Sequence, residues 1–141
     1  MAVRVRESLY NRVKAVHALN VTAIATDANT DGTSVGLDQS GRDYRSAMVV
    51  GYCSAYTDGS YAVVVQESPS GSDAWTDVPA ARLQGSGSLS AANGVVEIGV
   101  IPSPAVAPFL RVRITSTETT TGASVGALIL LGSPSFTPIA R

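Results

Sequence analysis

The residues with the clearest potential for chemistry lie between Asp27 and Asp38. Oxygen-bearing side chains recur there at alternate positions, a glycine follows, and a further acid closes the stretch; the donors are Asp27, Asn29, Asp31 and Asp38. This is the spacing of a calcium-binding loop, in which oxygen ligands surround a glycine at the sixth position. The final acid is the shorter Asp rather than Glu, and Asp and Asn are also ordinary turn residues. We favour a turn here, with a calcium site as the alternative.

Arrangements typical of catalysis are harder to find. The single histidine, His17, lies in a basic segment, and no serine has the spacing of a nucleophile elbow. Glu67 and Glu97 lie in expected strands and could form the carboxylate pair of a glycosidase, but outward strand acids are more often solvated or ion-paired. No phosphate-binding loop or dinucleotide fingerprint occurs. We therefore expect neither an active site nor a cofactor.

Two arginines share one face of an expected strand. Arg111 and Arg113 alternate with aliphatic residues, so both point away from the core. Such a pair can bind a phosphate or a partner's carboxylate, although a solvated face is the commoner outcome. The single tryptophan, Trp75, lies beside Asp77 and could be an aromatic platform for a glycan. We favour a core position for it.

The composition predicts one domain with a substantial core and a weakly charged surface. Of 141 residues, 45% are hydrophobic and only 15% are charged, against about a quarter in average domains. The net charge of -1 provides no general attraction to nucleic acid or acidic membranes. The single cysteine, Cys53, lies in an apolar run and is expected to be buried. No run is long enough for a membrane-spanning helix, and the first residues do not resemble a signal peptide.

Residues 1–19 differ from the rest of the chain. They contain no glycine or proline and four of the ten basic residues, namely Arg4, Arg6, Arg12 and Lys14. Leu9, Val13 and Val16 recur at helical spacing, which predicts a short amphipathic helix. The alternative is a basic arm that leaves the domain and docks on a partner. Both interpretations stay open.

From residue 20 onward, short β runs alternate with turns rich in Gly, Ser and Asp. In the run 61–67, for example, Tyr61, Val63 and Val65 share one face. Seven to nine such strands predict an all-β fold, a two-sheet antiparallel β-sandwich or jelly roll over residues 20–135. The basic arm or short helix (1–19) precedes this domain, and a C-terminal tail (136–141) follows it.

The stretches 109–116 and 123–131 are the strongest strand signals. The first alternates aliphatic and polar residues, whereas the second is apolar on both faces. The polar segment 117–122 between them ends in glycine, which suits a hairpin loop. We therefore expect an antiparallel hairpin near the centre of the domain, with its second strand covered on both faces.

Several of these stretches, taken together, resemble small structural proteins of tailed bacteriophages. They are Gly32-Thr-Ser-Val-Gly-Leu-Asp38, Thr57-Asp-Gly-Ser-Tyr61 leading into Val65-Gln-Glu-Ser68, Ala74-Trp-Thr-Asp-Val78, Phe109-Leu-Arg-Val-Arg-Ile-Thr-Ser116 and Val125-Gly-Ala-Leu-Ile-Leu-Leu-Gly-Ser-Pro134. The resemblance is to head-decoration (cement) proteins, covers roughly residues 20–135, and rests on strand and turn signatures.

The resemblance implies a structural function. A protein of this kind binds the outside of the phage capsid, bridges major capsid protein subunits and stabilises the shell. It would be assembled in the cytoplasm of the bacterial host and reside on the virion, without contacting nucleic acid or membrane. We expect the partner contacts to come from residues 1–19, from the C-terminal tail and from the two outward-pointing arginines of the stretch 109–116. The basic residues concerned are Arg4, Arg6, Arg12, Lys14, Arg111 and Arg113.

Self-association and two other functions are also predicted or left open. A homo-oligomer is expected, a dimer before a trimer, because two-fold contacts are the commonest. The first alternative function is a carbohydrate-binding or adhesion sandwich on the virion surface, which would use Trp75. The second is a β-sandwich hydrolase, which would need His17 to meet an acid and a serine in one pocket.

Overall fold

The computed structural model describes residues 9–39 and 42–134, and the chain within them is mostly β-strand. A four-residue helix, α1, spans Leu9–Arg12. The strands that follow are β1 (Lys14–Ile24), β2 (Asn29–Asp31), β3 (Val35–Gly36), β4 (Asp38–Gln39), β5 (Arg42–Tyr56), β6 (Ser60–Ser68), β7 (Thr76–Asp77), β8 (Leu83–Gln84), β9 (Ser88–Leu89), β10 (Val95–Val100), β11 (Phe109–Thr117) and β12 (Ala123–Pro134). One turn of 3-10 helix, Ala80–Arg82, separates β7 from β8.

The strands form two antiparallel sheets. Sheet A has the order β1-β12-β5-β10-β8, with β4 beside β5, and sheet B has the order β2-β11-β6-β7, with β3 beside β11 and β9 beside β6. The long strands alternate between the sheets along the chain: β5, β10 and β12 lie in sheet A, and β6 and β11 lie in sheet B. This alternation is the arrangement of a jelly roll. The predicted all-β, two-sheet antiparallel sandwich is confirmed.

The core lies between the sheets and is built from alternate positions of the long strands. Leu110, Val112 and Ile114 of β11 are fully buried. The facing positions of β12 are buried as well; they are Val125, Ala127, Ile129 and Leu131. Burial of these aliphatic faces is the main source of stability. Cys53 belongs to the same core, as predicted, and its burial raises the pKa of its thiol.

The predicted hairpin between 109–116 and 123–131 is wrong. β11 pairs along its whole length with β6 in sheet B, whereas β12 lies between β1 and β5 in sheet A. The loop 118–122 therefore crosses from one sheet to the other. Alternation in a strand shows which of its faces packs against the opposite sheet. It does not show which strands lie beside it in its own sheet, so it does not reveal which strands pair.

Asp58 holds this crossing loop in place. Its carboxylate accepts hydrogen bonds from the backbone amides of Thr120, Thr121 and Gly122, the last at 2.8 Å. It also accepts a hydrogen bond from the Thr120 hydroxyl. These bonds, the hydroxyl first, lower the pKa of Asp58 from its ordinary value to about 2.

We expect this depressed pKa to make stability depend on pH. Because the folded-state pKa lies below the unfolded-state value, the contribution of Asp58 is present above about pH 4 and is lost as the pH falls toward 2. Thermal melts of the wild type and Asp58→Asn should therefore differ most near neutral pH and converge in acid. A difference that stayed constant down to the most acidic buffer would contradict this assignment.

The N-terminal boundary also differs from the prediction. Among the described residues the helix covers Leu9–Arg12, and β1 begins at Lys14, which pairs with Leu131 of β12. From residue 14 the side chains alternate, with Val16 packed against the core and His17 exposed. A period of two, not 3.6, thus governs this stretch. The sandwich starts at residue 14 rather than at 20, and the predicted tail 136–141 lies outside the described residues.

Candidate functional site

The outer face of sheet B carries polar contacts built around β11. Arg111 and Arg113 point outward, as predicted. Arg113 donates from Nε to Oδ1 of Asp31 at 2.5 Å and from Nη2 to Oδ2 at 3.2 Å; Asp31 lies on the neighbouring strand β2. Nη2 of Arg111 lies 3.4 Å from Oδ2 of the same carboxylate. One acid therefore balances part of the charge of both arginines.

Arg111 is held from its other side as well. Its Nε donates to Oε1 of Gln66 at 2.9 Å, and Nε2 of Gln66 donates to Oδ1 of Asp77 at 2.8 Å. Its guanidinium lies 4.5 Å from the centre of the Trp75 ring, in a cation–π contact. We call this set the arginine network: Asp31, Gln66, Trp75, Asp77, Arg111 and Arg113. The polar groups of the network form hydrogen bonds and ion pairs with one another, so a ligand would have to displace these internal contacts.

The expected core position of Trp75 is wrong, because Trp75 is half-buried on this outer face. The turn that precedes it is organised by Ser68, whose Oγ accepts hydrogen bonds from the amides of Ser70 and Gly71 at 3.2 and 3.0 Å. The chain then passes through Ala74 in the left-handed region, at φ 53°. This turn brings the indole ring over Arg111 instead of into the sandwich.

The ion pair should be visible in the titration of Asp31. The hydrogen bond from Arg113 is the main cause of the lowered pKa of Asp31, and the charge of Arg111 adds to it. We expect Arg113→Gln to raise the pKa of Asp31 toward its ordinary value, measured by NMR titration of the side-chain carboxyl. Arg111→Gln, the matched control, should raise it less. Because Asp31 is exposed to solvent, the stability change should not exceed about 1 kcal/mol.

The calcium candidates do not converge on one point. Asp27 accepts a hydrogen bond from the Thr119 amide at 2.8 Å, and Asn29 accepts one from the Thr115 hydroxyl at 2.9 Å. Asp31 is engaged by the arginines, and Asp38 lies apart in β4. Over residues 9–39 and 42–134, no three His, Cys, Asp or Glu side chains are placed to hold a metal ion. Asp27 lies in a bend, as the favoured turn predicts. Asn29 and Asp31 lie in β2 and Asp38 lies in β4, so the predicted turn is wrong for these three residues.

The candidate catalytic side chains are also separate. Glu67 is buried on the inner side of sheet B, where its carboxylate is paired with Arg82. Glu97 is exposed on the outer side of sheet A, so sheet A lies between the two acids. His17 is exposed on that same outer side, next to Leu128. The structure therefore does not form the carboxylate pair considered for a glycosidase, and it does not bring His17 to Glu67.

The outer face of sheet A is apolar. Side chains that alternate with the buried core point outward on three neighbouring strands; they are Met48, Val50 and Tyr52 of β5, Leu128 and Leu130 of β12, and Val95 of β10. We call these six residues the apolar face. Leu128 is 37% exposed and Val95 is 59% exposed. Met48, Val50, Tyr52 and Leu130 are half-buried. Among the described residues no element covers the outer side of β12 at Leu128, so the expectation that this strand would be covered on both faces is wrong there. Apolar side chains left exposed on neighbouring strands are typical of an interaction surface.

The helix α1 stands at one end of the apolar face without covering it. Leu9 and Val13 line a groove of about 250 Å³ with Leu130 and Gly132. Leu9 and the neighbouring Tyr10 are themselves 74% and 66% exposed. The helix thus adds two large exposed side chains to this end of the surface.

The basic residues predicted to bind a partner occupy two places. Arg4 and Arg6 lie outside the described residues. Arg12 is exposed on α1, and Lys14 is half-buried at the start of β1. Arg12 and Lys14 therefore lie at the end of sheet A where α1 lies. Arg111 and Arg113 occupy the second place, in the arginine network on the outer face of sheet B.

Comparison with protein-family models, curated proteins and solved structures finds no match for this chain. None of the helical segments within the described ranges has the length and apolarity needed to cross a membrane. The apolar face is the feature that sequence reasoning missed. Its signal was the absence of alternation in the runs Met48–Val50 and Leu128–Leu131, which indicates two apolar sides without showing what covers the second one.

Proposed function

We propose that this chain is a structural virion protein that binds the outside of a tailed-phage capsid and stabilises the shell by bridging major capsid protein subunits. The resemblance of residues 20–135 to decoration proteins supports this function. A rigid sandwich with a weakly charged surface is compatible with it, because little polar area has to be desolvated on docking. A fold alone assigns no function, so the contacts that the surface offers have to indicate it.

The observation that carries the proposal is the position of two strand ends. Lys14 at the start of β1 pairs with Leu131 near the end of β12, so these two strand ends lie side by side at one end of sheet A. The groove lined by Leu9 and Leu130 lies at the same end, between α1 and the neighbouring strands β12 and β5. An apolar groove beside two strand ends is a suitable docking place for a partner. We assign the capsid contact to this end.

The arginine network takes a different role in this proposal. Arg113 and Arg111 already share Asp31, and Arg111 is further fixed by Gln66 and Trp75. An acidic partner would have to compete with these contacts. We assign capsid binding to the end of sheet A where α1 and the groove lie, which also carries Arg12 and Lys14, and treat Arg111 and Arg113 as residues that stabilise sheet B.

Co-sedimentation with shells tests the function. The full chain is mixed with expanded, DNA-free shells of the major capsid protein encoded in the same genome, and bound copies per shell subunit are counted after pelleting. We expect saturable binding at a fixed ratio to the shell subunits. Deletion of residues 1–12, which leaves β1 intact, should abolish it, because α1 and the basic segment are removed together.

The matched control is Arg113→Gln, which removes a positive charge from sheet B and should leave capsid binding unchanged. A full chain that stays in the supernatant at every concentration would refute the capsid function. Binding that survives the deletion but is lost in Arg113→Gln would move the contact to the arginine network.

Glycan binding is the second candidate, and the surface position of Trp75 is the observation in its favour. The ring lies beside Gln66, Asp77 and Arg111, which are polar groups of the kind that bind sugar hydroxyls. A glycan array with the wild type and Trp75→Ala tests it. Binding to a defined glycan that disappears in the variant would establish this function, and an array without specific binding would exclude it.

A further inference from the structure

A row of four residues crosses the apolar face, with a polar residue at each end. His17 of β1 pairs with Leu128 of β12, Leu128 pairs with Val50 of β5, and Val50 pairs with Glu97 of β10. Paired residues in neighbouring strands point to the same side of a sheet, so all four side chains lie in one line. At about 4.8 Å between strands, the two outer residues are about 14 Å apart. In order across the four strands, the side chains are an imidazole, two aliphatic groups and a carboxylate.

We propose that two copies of this chain pack through their apolar faces around a two-fold axis that lies between β12 and β5 and runs parallel to them. Rotation about this axis exchanges the two ends of the row. His17 of each copy then lies opposite Glu97 of the other, and Leu128 lies opposite Val50. An imidazole N–H can donate to a carboxylate in either protonation state, so both ends of the row are satisfied.

The charge pattern selects this axis over the other two-fold choice. An axis perpendicular to the strands would place His17 opposite His17 and Glu97 opposite Glu97, which are unfavourable like pairs. The parallel axis produces two complementary pairs at the edges of an aliphatic centre. An apolar centre with a polar rim is the usual anatomy of a protein interface. It also corresponds to aligned packing of two sheets.

The helix α1 stands at one end of this contact in both copies, because a rotation about an axis parallel to the strands does not exchange the strand ends. The groove beside α1, which we assign to the capsid, therefore lies at one end of the dimer. A specific interface buries at least about 1,000 Å² in total. The association of two chains should depend on concentration.

The dimer shares Leu130 with the groove assigned to the capsid, but it is tested without a capsid. Sedimentation velocity of the full chain from low to high micromolar concentration should show a shift from one chain to two. Leu128→Asp should raise the dimer dissociation constant at least about tenfold, because a carboxylate would face Val50 in an apolar centre. Val106→Asp is the matched control: Val106 is 72% exposed in the loop between β10 and β11 and should leave the dimer unchanged. Circular dichroism confirms that both variants fold.

Cross-linking tests the axis itself. In a Cys53→Ala background, one copy carries His17→Cys and the other Glu97→Cys, and a short bismaleimide is added. We expect cross-links in the mixture of the two variants and few in either variant alone. Cross-links between two copies of the same variant would contradict the parallel axis and would indicate the perpendicular one. A chain that stays monomeric at all concentrations would overturn the dimer and leave the face to another partner.

Discussion

Replacing Gly122 by alanine is expected to lower the free energy of unfolding by about 3–5 kcal/mol, from a backbone conformation that disfavours a side chain and from a collision. Gly122 has φ +106°, a region that residues with a Cβ rarely adopt. A Cβ placed there would lie 2.0 Å from the carbonyl oxygen of Ile24, at the end of β1. Because this contact is with backbone, relief requires movement of β1 or of the crossing loop. Urea unfolding of the two proteins measures the difference.

Gly85→Ala separates the two causes. Gly85 also has a positive φ, +88°, but its nearest contact would be the Glu97 carbonyl oxygen at 3.2 Å. We expect about 1–2 kcal/mol for this variant, which has the backbone strain without the severe collision. Equal decreases in the free energy of unfolding of the two variants would show that the approach of Gly122 to Ile24 is not tight in solution.

The second large effect is expected from Ile129→Ala, about 3–4 kcal/mol of destabilisation. Ile129 is fully buried at the middle of β12, and its removal leaves a cavity between the sheets. The adjacent residue, Leu128, points the other way and is 37% exposed. Leu128→Ala removes a side chain of similar size from the same strand and should change stability by less than about 1 kcal/mol.

Both variants should be compared at a protein concentration low enough to keep the chain monomeric, so that association through the apolar face does not contribute. Urea unfolding monitored by circular dichroism yields the two free energies. If Leu128→Ala proved as destabilising as Ile129→Ala under these conditions, the outer side of β12 would have to be covered within a single chain.

The sequence predicts the fold class and the orientation of most long strands, because these follow from local alternation. Tyr61, Val63 and Val65 are buried as expected, and so are Leu110, Val112 and Ile114. What alternation cannot reveal is which strand lies beside which. The loop 118–122 is as short as a hairpin loop, yet it joins strands in different sheets, so its length and its terminal glycine were misleading.

The candidate surfaces were predictable in part. The outward direction of Arg111 and Arg113 follows from their positions in β11, but their shared acid, Asp31, lies 80 residues or more away in sequence. Trp75 was misplaced because a large aromatic residue usually belongs to the core, whereas the turn at Ala74 turns it outward. For β12, an apolar second side is evident in the sequence. Whether another element covers that side depends on the arrangement of all the strands, and none of those in residues 9–39 and 42–134 covers it at Leu128.

The pairing of β1 with β12 has a consequence for synthesis of this protein. β1 leaves the ribosome well before its partner strand, because the paired residues Lys14 and Leu131 are 117 residues apart in sequence. Sheet A therefore cannot close until β12 has been synthesised, and contacts between such distant segments form slowly. During that interval the apolar strands β1 and β5 are exposed to intermolecular pairing, so yield in the cell should depend on chaperones and on growth temperature.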